Sequence, residues 1–219
     1  MIEWEDVKNA ELGHTFRPEE LTEHFHAIYG GVGWPKKGEG FAVVLGLGRD
    51  KQCGRYNIYL LDEFESMDLL RLVRQCGVLA FKYQITRWIG NPKNTSADLI
   101  IKEHNRQSQA RSKEANEGER SFHVSSTLIM EDLERPYPYL LGTLQNMLNE
   151  ECRQLHLKDE SRTKGHLNSI ERNEIADLEL GTFPAIDALG FTAVALREKG
   201  VAIDRPWPRR RRRPPSAMC

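Results

Sequence analysis

The stretch from Ile28 to Leu45, IYGGVGWPKKGEGFAVVL, sets the architecture. Apolar residues on both sides of a Gly- and Lys-rich centre read as a strand, a tight bend and a second strand, the pattern of a β-hairpin. Ala27–Val32 and Gly40–Leu47 are the two expected strands. A third, Tyr56–Asp62, follows the polar turn GRDKQCGR (Gly48–Arg55), so the three form an antiparallel meander.

Beyond the meander the period changes. In SMDLLRLVRQCGVLAFKY (Ser66–Tyr83) Met67, Leu70, Val73 and Val78 or Leu79 fall close to helical spacing, with Gly77 as an interruption. ITRWIG (Ile85–Gly90) reads as a fourth strand stopped by Asn91-Pro92. Thr95 or Ser96 can cap a helix from Ala97 to about Gln107. SQARSKEANEGER (Ser108–Arg120) has almost no apolar content and reads as a flexible loop. A short strand at Phe122–Ser126, a helix over Tyr139–Gln154, a brief strand at Leu155–Asp159 and a helix or loop over Arg162–Glu174 come next. The last strong element is FPAIDALGFTAVALREKG (Phe183–Gly200), with Pro184 suited to a first helical turn and Gly200 to its stop. A short helix is expected upstream, near Pro18–His26.

The 219 residues, 39% apolar, suffice for one sizeable core. No apolar run is long enough for a membrane span, and the acidic start MIEWEDVKNAELGH lacks signal-peptide character. Cys53, Cys76, Cys152 and Cys219 show no CxxC spacing, which argues against a zinc ribbon or a disulfide framework and fits a reducing compartment. The net charge of −1 hides an asymmetry. From Asp204 onward six arginines face one aspartate, so a mildly acidic body ends in a basic tail.

Three hairpin-linked strands, then alternating helices and strands, then a terminal helix: that order is a ribonuclease H-like mixed α/β arrangement. Specific residues resemble the C-terminal nuclease domain of the tailed-phage terminase large subunit. They are YGGVGW (Tyr29–Trp34), GRYNIYLLDEF (Gly54–Phe64), WIGNP (Trp88–Pro92) and IDALGFTAVAL (Ile186–Leu196), in the family's order. The resemblance divides the chain into an entry segment (1–26), a ribonuclease H-like domain (27–203) and a basic, disordered tail (204–219). It implies an endonuclease that cuts concatemeric viral DNA in the cytoplasm of the host bacterium, from a phage or prophage. It also implies double-stranded DNA, a packaging ATPase chain and a portal as partners. The ATPase must come from another chain, because no GxxxxGKS or GxxxxGKT motif is present and GLGRDK (Gly46–Lys51) lacks the second half of a phosphate loop.

Such a nuclease uses two cations, Mg²⁺ or Mn²⁺, roughly 3.5 to 4 Å apart and held by carboxylates. Carried over by the resemblance, Asp187 is the closing acid and catalytic residue. Asn91 stands where a second acid is expected, and Gly33 where the first is. Pro184 replaces the polar residue three places before Asp187. Two of three expected acids are thus missing, which leaves open an impaired nuclease or a non-catalytic binding and assembly module. Glu39 and Asp62 are the substitute ligands within reach along the chain. Without the resemblance, Asp62 and Glu63 read as a solvated strand end, and Asp187 as an acid in a first helical turn.

Other candidates carry less. His24 and His26 can share a strand face but lack a third ligand. Ser125, Ser126 and Cys152 have no nucleophile elbow or base pattern. The run Arg209, Arg210, Arg211, Arg212 and Arg213 will attract polyanions, nucleic acid above all, with an affinity that falls as salt rises.

Overall fold

The computed structural model describes residues 7–8, 10, 16, 20–49, 54–85, 87–90, 96–117, 128, 130–131, 136–149, 154–171 and 179–204. A short helix α1 (Leu21–His24) leads into β1 (Phe25–Gly33), followed by β2 (Gly40–Arg49) and β3 (Tyr56–Ser66). Then come α2 (Leu69–Lys82), β4 (Arg87–Ile89), α3 (Ala97–Glu117), β5 (Met130–Glu131), α4 (Tyr137–Leu148), β6 (Leu155–His156), α5 (Arg162–Glu171) and α6 (Pro184–Asp204).

The meander holds as expected, with β1, β2 and β3 antiparallel in sequence. The full sheet has the order β5-β4-β1-β2-β3-β6, with β4 parallel to β1, β5 to β4 and β6 to β3. Only β2 runs against the rest, which is the ribonuclease H-like topology. Its residues Gly40–Gly48 are all buried because helices cover both faces. On one face Phe41, Val43 and Leu45 pack with α4, α5 and α6; on the other Ala42 and Val44 pack with α2 and α3. Two layers of helix therefore sandwich one sheet, the arrangement that buries both faces of a strand this apolar.

Helix α6 crosses the middle of the first face. Ala185 to Leu196 are buried without a break, so this helix is apolar all round, as a core helix must be. Small residues let it come close to β1. A Cβ added at Gly31 would overlap Thr192 Oγ1 and the Ala188 carbonyl oxygen. One added at Gly33 would lie 2.5 Å from the Pro184 carbonyl carbon and closer still to its oxygen.

Several expectations are corrected. Strand β1 continues to Gly33, so this glycine belongs to the strand and not to the bend. Gly77 is buried within an unbroken α2, whose start is capped by Asp68 Oδ1 accepting from Leu70 N (2.8 Å) and Arg71 N (3.3 Å). Helix α3 runs on to Glu117 where a loop from Ser108 was expected. Its later half is rich in Gln, Ala, Arg, Lys and Glu, good helix formers whose propensity favours a helix without an apolar period. Helix α4 begins at Tyr137 and stops at Leu148, short of Gln154. His24 ends α1 while His26 lies on β1 beside a register shift, so the pair does not share a strand face. Their rings pack apart, His24 at 5.4 Å from Phe16 and His26 at 5.5 Å from Tyr56. The strand expected at 122–126 and the tail from Arg205 onward lie outside the described residues.

Candidate functional site

Three features meet at one end of the sheet. Strand β1 ends at Gly33, β4 runs parallel beside it with Gly31 opposite Ile89, and α6 begins over both. Between them opens a cleft of about 740 Å³ whose lining includes Gly33, Trp34, Lys36, Met67, Ser96 and Asp187.

Asp187 sits in the first turn of α6 and is 2% exposed. Its Oδ2 accepts the Gly181 N–H at 2.7 Å. Its buried Oδ1 and the buried hydroxyl of Tyr137, at the start of α4, make no well-formed hydrogen bond, although Tyr137 is near enough to interact with the carboxyl. Burial pushes the Asp187 carboxyl up to about 6, against the opposing pull of the Gly181 N–H and Tyr137. Burial and the neighbouring Asp187 charge push the Tyr137 phenol well above its ordinary range. One carboxylate, half satisfied, thus lies under the floor of the cleft.

Gly181 is held by a second contact, since its carbonyl accepts from Lys36 N at 3.1 Å. Its φ of +84° is open to glycine at no cost, and a Cβ there would lie 2.9 Å from the Trp34 carbonyl oxygen. The segment before α6 is in this way clasped to the segment after β1. An exposed ion pair, Lys36 with Glu179, adds to the clasp but contributes little in solvent. Neither Tyr137 nor Gly181 carries a sequence signal for this site; both reach Asp187 only through tertiary packing.

The remaining candidate ligands do not gather here. Glu39 is exposed and lines a different cavity, of about 730 Å³, with Glu63, Glu65, Asp68, Arg71 and Arg162. Asp62 lies on the α2 face of the sheet, where its Oδ2 accepts from Lys82 Nζ (2.8 Å) and Tyr83 Oη (2.8 Å). Burial there raises its pKa, but the bonds from Lys82 and Tyr83 outweigh this and hold it below the ordinary value. Glu63 accepts from Ser161 Oγ (2.9 Å), Thr163 Oγ1 (2.6 Å), Thr163 N (3.1 Å) and Arg162 N, which satisfies the free N–H groups at the start of α5. These acids are therefore engaged, not the solvated strand end expected. Strand alternation sets Asp62 and Glu63 on opposite faces, and a bulge decides which face each takes: Val44 pairs with Asp62 but Leu45 with Leu60, so Leu61 is an extra residue before them.

Asn91 lies outside the described residues, as does the Arg209–Arg213 run. Gly90, just before Asn91, is buried and donates its N–H to the Glu131 carbonyl at 3.0 Å.

No family model matches the sequence, and no curated protein does. Among solved structures, the large terminase of the thermophilic bacteriophage D6E aligns with a TM-score of 0.51 and 10% identity, over 86% of this chain and 44% of that one. The chain has the fold of a phage large terminase. It spans less than half the length of that protein. The large-terminase nuclease domain of bacteriophage SPP1, solved with bound Mn, aligns at 18% identity over 86% of this chain and 94% of that one, with a TM-score of 0.42.

The residues described do not fit the two-cation centre that the resemblance implies. Gly33 supplies no carboxylate, and the place its side chain would take is filled by the Pro184 carbonyl. Among the described residues no group of three or more His, Cys, Asp or Glu side chains gathers as a metal site. A lone buried Asp187 cannot bridge two cations and balance their charge.

Proposed function

We propose that this chain serves in phage genome packaging as a terminase-type module that keeps the ribonuclease H-like scaffold for binding and assembly and does not hydrolyse DNA by the two-cation route. One observation carries the reading. At the first ligand position the first turn of α6 fills the space a side chain would take, with the Pro184 carbonyl against Gly33. Asp187 then acts as the acid that clasps the Gly181 segment to the helix.

DNA is the expected partner, contacted through the arginine run at 209–213, because the rest of the chain carries net negative charge. A packaging ATPase and a portal are the expected protein partners, in the host cytoplasm. Among the described residues no helix is long and apolar enough to cross a membrane.

The test is incubation of supercoiled plasmid with the purified protein in Mg²⁺ and in Mn²⁺, beside the Asp187→Ala variant, with a gel-shift assay in EDTA. We expect no nicking by either protein. We expect a salt-sensitive shift that weakens when all five arginines are changed to serine. Wild-type nicking that disappears in Asp187→Ala overturns the reading and shows that another ligand set completes the site.

A further inference from the structure

Helix α2 turns two different faces to its surroundings. Leu72, Val73, Cys76, Leu79 and Ala80 are buried against the sheet. On the opposite side Leu70 (40% exposed), Val78 (57%) and Phe81 (61%) stand in solvent, extended beyond the N-cap by Met67 (73%). At 3.6 residues per turn Leu70, Arg74, Val78 and Phe81 fall within an arc of about 80° and span about 17 Å of helix. This is a second apolar seam, spaced as in a helix-to-helix contact, that none of the described residues covers.

Arg74 interrupts it. The side chain is exposed, makes no ion pair or hydrogen bond among the described residues, and lies midway between Met67 and Phe81. Its neighbours on the helix are already engaged: Arg71 stacks 5.7 Å from the Phe64 ring, and Lys82 pairs with Asp62. A free cation at the centre of an apolar seam selects its partner. A second copy of this chain, docked seam to seam in either direction about a two-fold axis, would set Arg74 against Arg74. A helix with a carboxylate at the matching position would neutralise it while burying the apolar residues on either side.

We propose that the outer face of α2 seats an amphipathic helix of a partner protein whose apolar seam carries a central Asp or Glu. The mode is helix on helix, with Val78 and Phe81 as the anchors and Arg74 as the selector. Of this face only Met67 reaches the cleft at Asp187, whose lining includes neither Arg74, Val78 nor Phe81, so the proposal stands whatever the plasmid assay shows.

The test uses the full chain and two labelled synthetic helical peptides, three heptads long with Leu at every seam position except the middle one. One peptide carries Glu there and the other Lys. Fluorescence anisotropy should show the Glu peptide binding at least about tenfold more tightly. Arg74→Glu should reverse that order. Val78→Ser combined with Phe81→Ser, both at exposed positions that leave the fold intact by circular dichroism, should abolish binding of both peptides. Equal affinities, or no binding of the Glu peptide, overturn the proposal. So does concentration-dependent dimerisation of the wild type that the double serine variant removes, which would assign the face to a second copy.

Discussion

The end of β1 and the second half of β3 handle acidic residues in opposite ways. Within β3, Asp62 and Glu63 sit among donors: Lys82 and Tyr83 for one, the start of α5 for the other. At the end of β1 a single acid, Asp187, is buried with one oxygen bonded to Gly181 N–H and only the Tyr137 hydroxyl, in no well-formed bond, for the other. An acid surrounded by donors is committed to the fold. A buried acid without a full set of donors destabilises the fold when ionised. The comparison separates the acids of this chain by environment, which their positions in the sequence could not do.

The largest expected effect tests whether the β1 end is closed. Gly33→Ala places a Cβ against the Pro184 carbonyl and should lower the unfolding free energy by about 3 kcal/mol, as overpacking at a rigid backbone contact does. Gly33→Asp should cost at least as much, since it adds a charge to a buried place. Urea denaturation measures both. The comparison breaks if Gly33→Asp is tolerated and its melting temperature rises on addition of Mn²⁺, because α6 would then have withdrawn to admit a cation.

The next effect concerns the sign of pH dependence. Asp187 titrates near 6 in the folded protein against a reference value of 3.8, so between those values the folded chain holds a proton that the unfolded chain has released. Stability contributed by this group therefore falls as pH rises from about 4 to about 6, by at most about 3 kcal/mol, and is flat above that window. Asp187→Asn keeps an oxygen for the Gly181 N–H and removes the titration. It should match the wild type at pH 4 and exceed it by about 2 kcal/mol at pH 8. A variant less stable than wild type at pH 8 would mean that the ionised carboxylate has a partner worth more than its burial costs.

Much of the scaffold was legible in the sequence because it rests on local signals. The Gly-bounded apolar runs of the meander and the Pro-to-Gly frame of α6 depend on neighbours in sequence. The helix at α2 was legible too, but its period took in Met67 and Leu70, which are exposed, where the buried face is Leu72, Val73, Cys76, Leu79 and Ala80. The polar half of α3 was not legible, since a sequence with almost no apolar residues leaves no hydrophobic period to find. At the site, Asp187 was visible as a helix-start acid, but its burial was not: it comes from α4 and the Gly181 segment folding over it. Gly33 read as a missing acid, and only the approach of Pro184 shows why glycine is needed there. The bulge at Leu61, which decides which face Asp62 and Glu63 each take, is a register shift that no run of residue types announces.

The smallest effect probes the committed side of the comparison. Asp62 is held below its ordinary pKa, with burial opposed and outweighed by Lys82 and Tyr83, so its sign is the reverse of that of Asp187. A depressed carboxyl stabilises the fold above its unfolded value near 4 and loses that contribution as pH falls through the folded one. The pair is accessible: the Lys82 side chain is 48% exposed and that of Asp62 27%. Solvent and salt screen it, so Asp62→Asn should cost no more than about 1 kcal/mol at pH 7, and less in 1 M NaCl. The variant keeps an acceptor for the Tyr83 hydroxyl, which isolates the charge from the hydrogen bond. Near pH 2 both proteins should unfold at the same urea concentration. A loss at pH 7 several times larger, insensitive to salt, would place Asp62 in a buried network instead, and the contrast with Asp187 would then be one of partners and not of exposure.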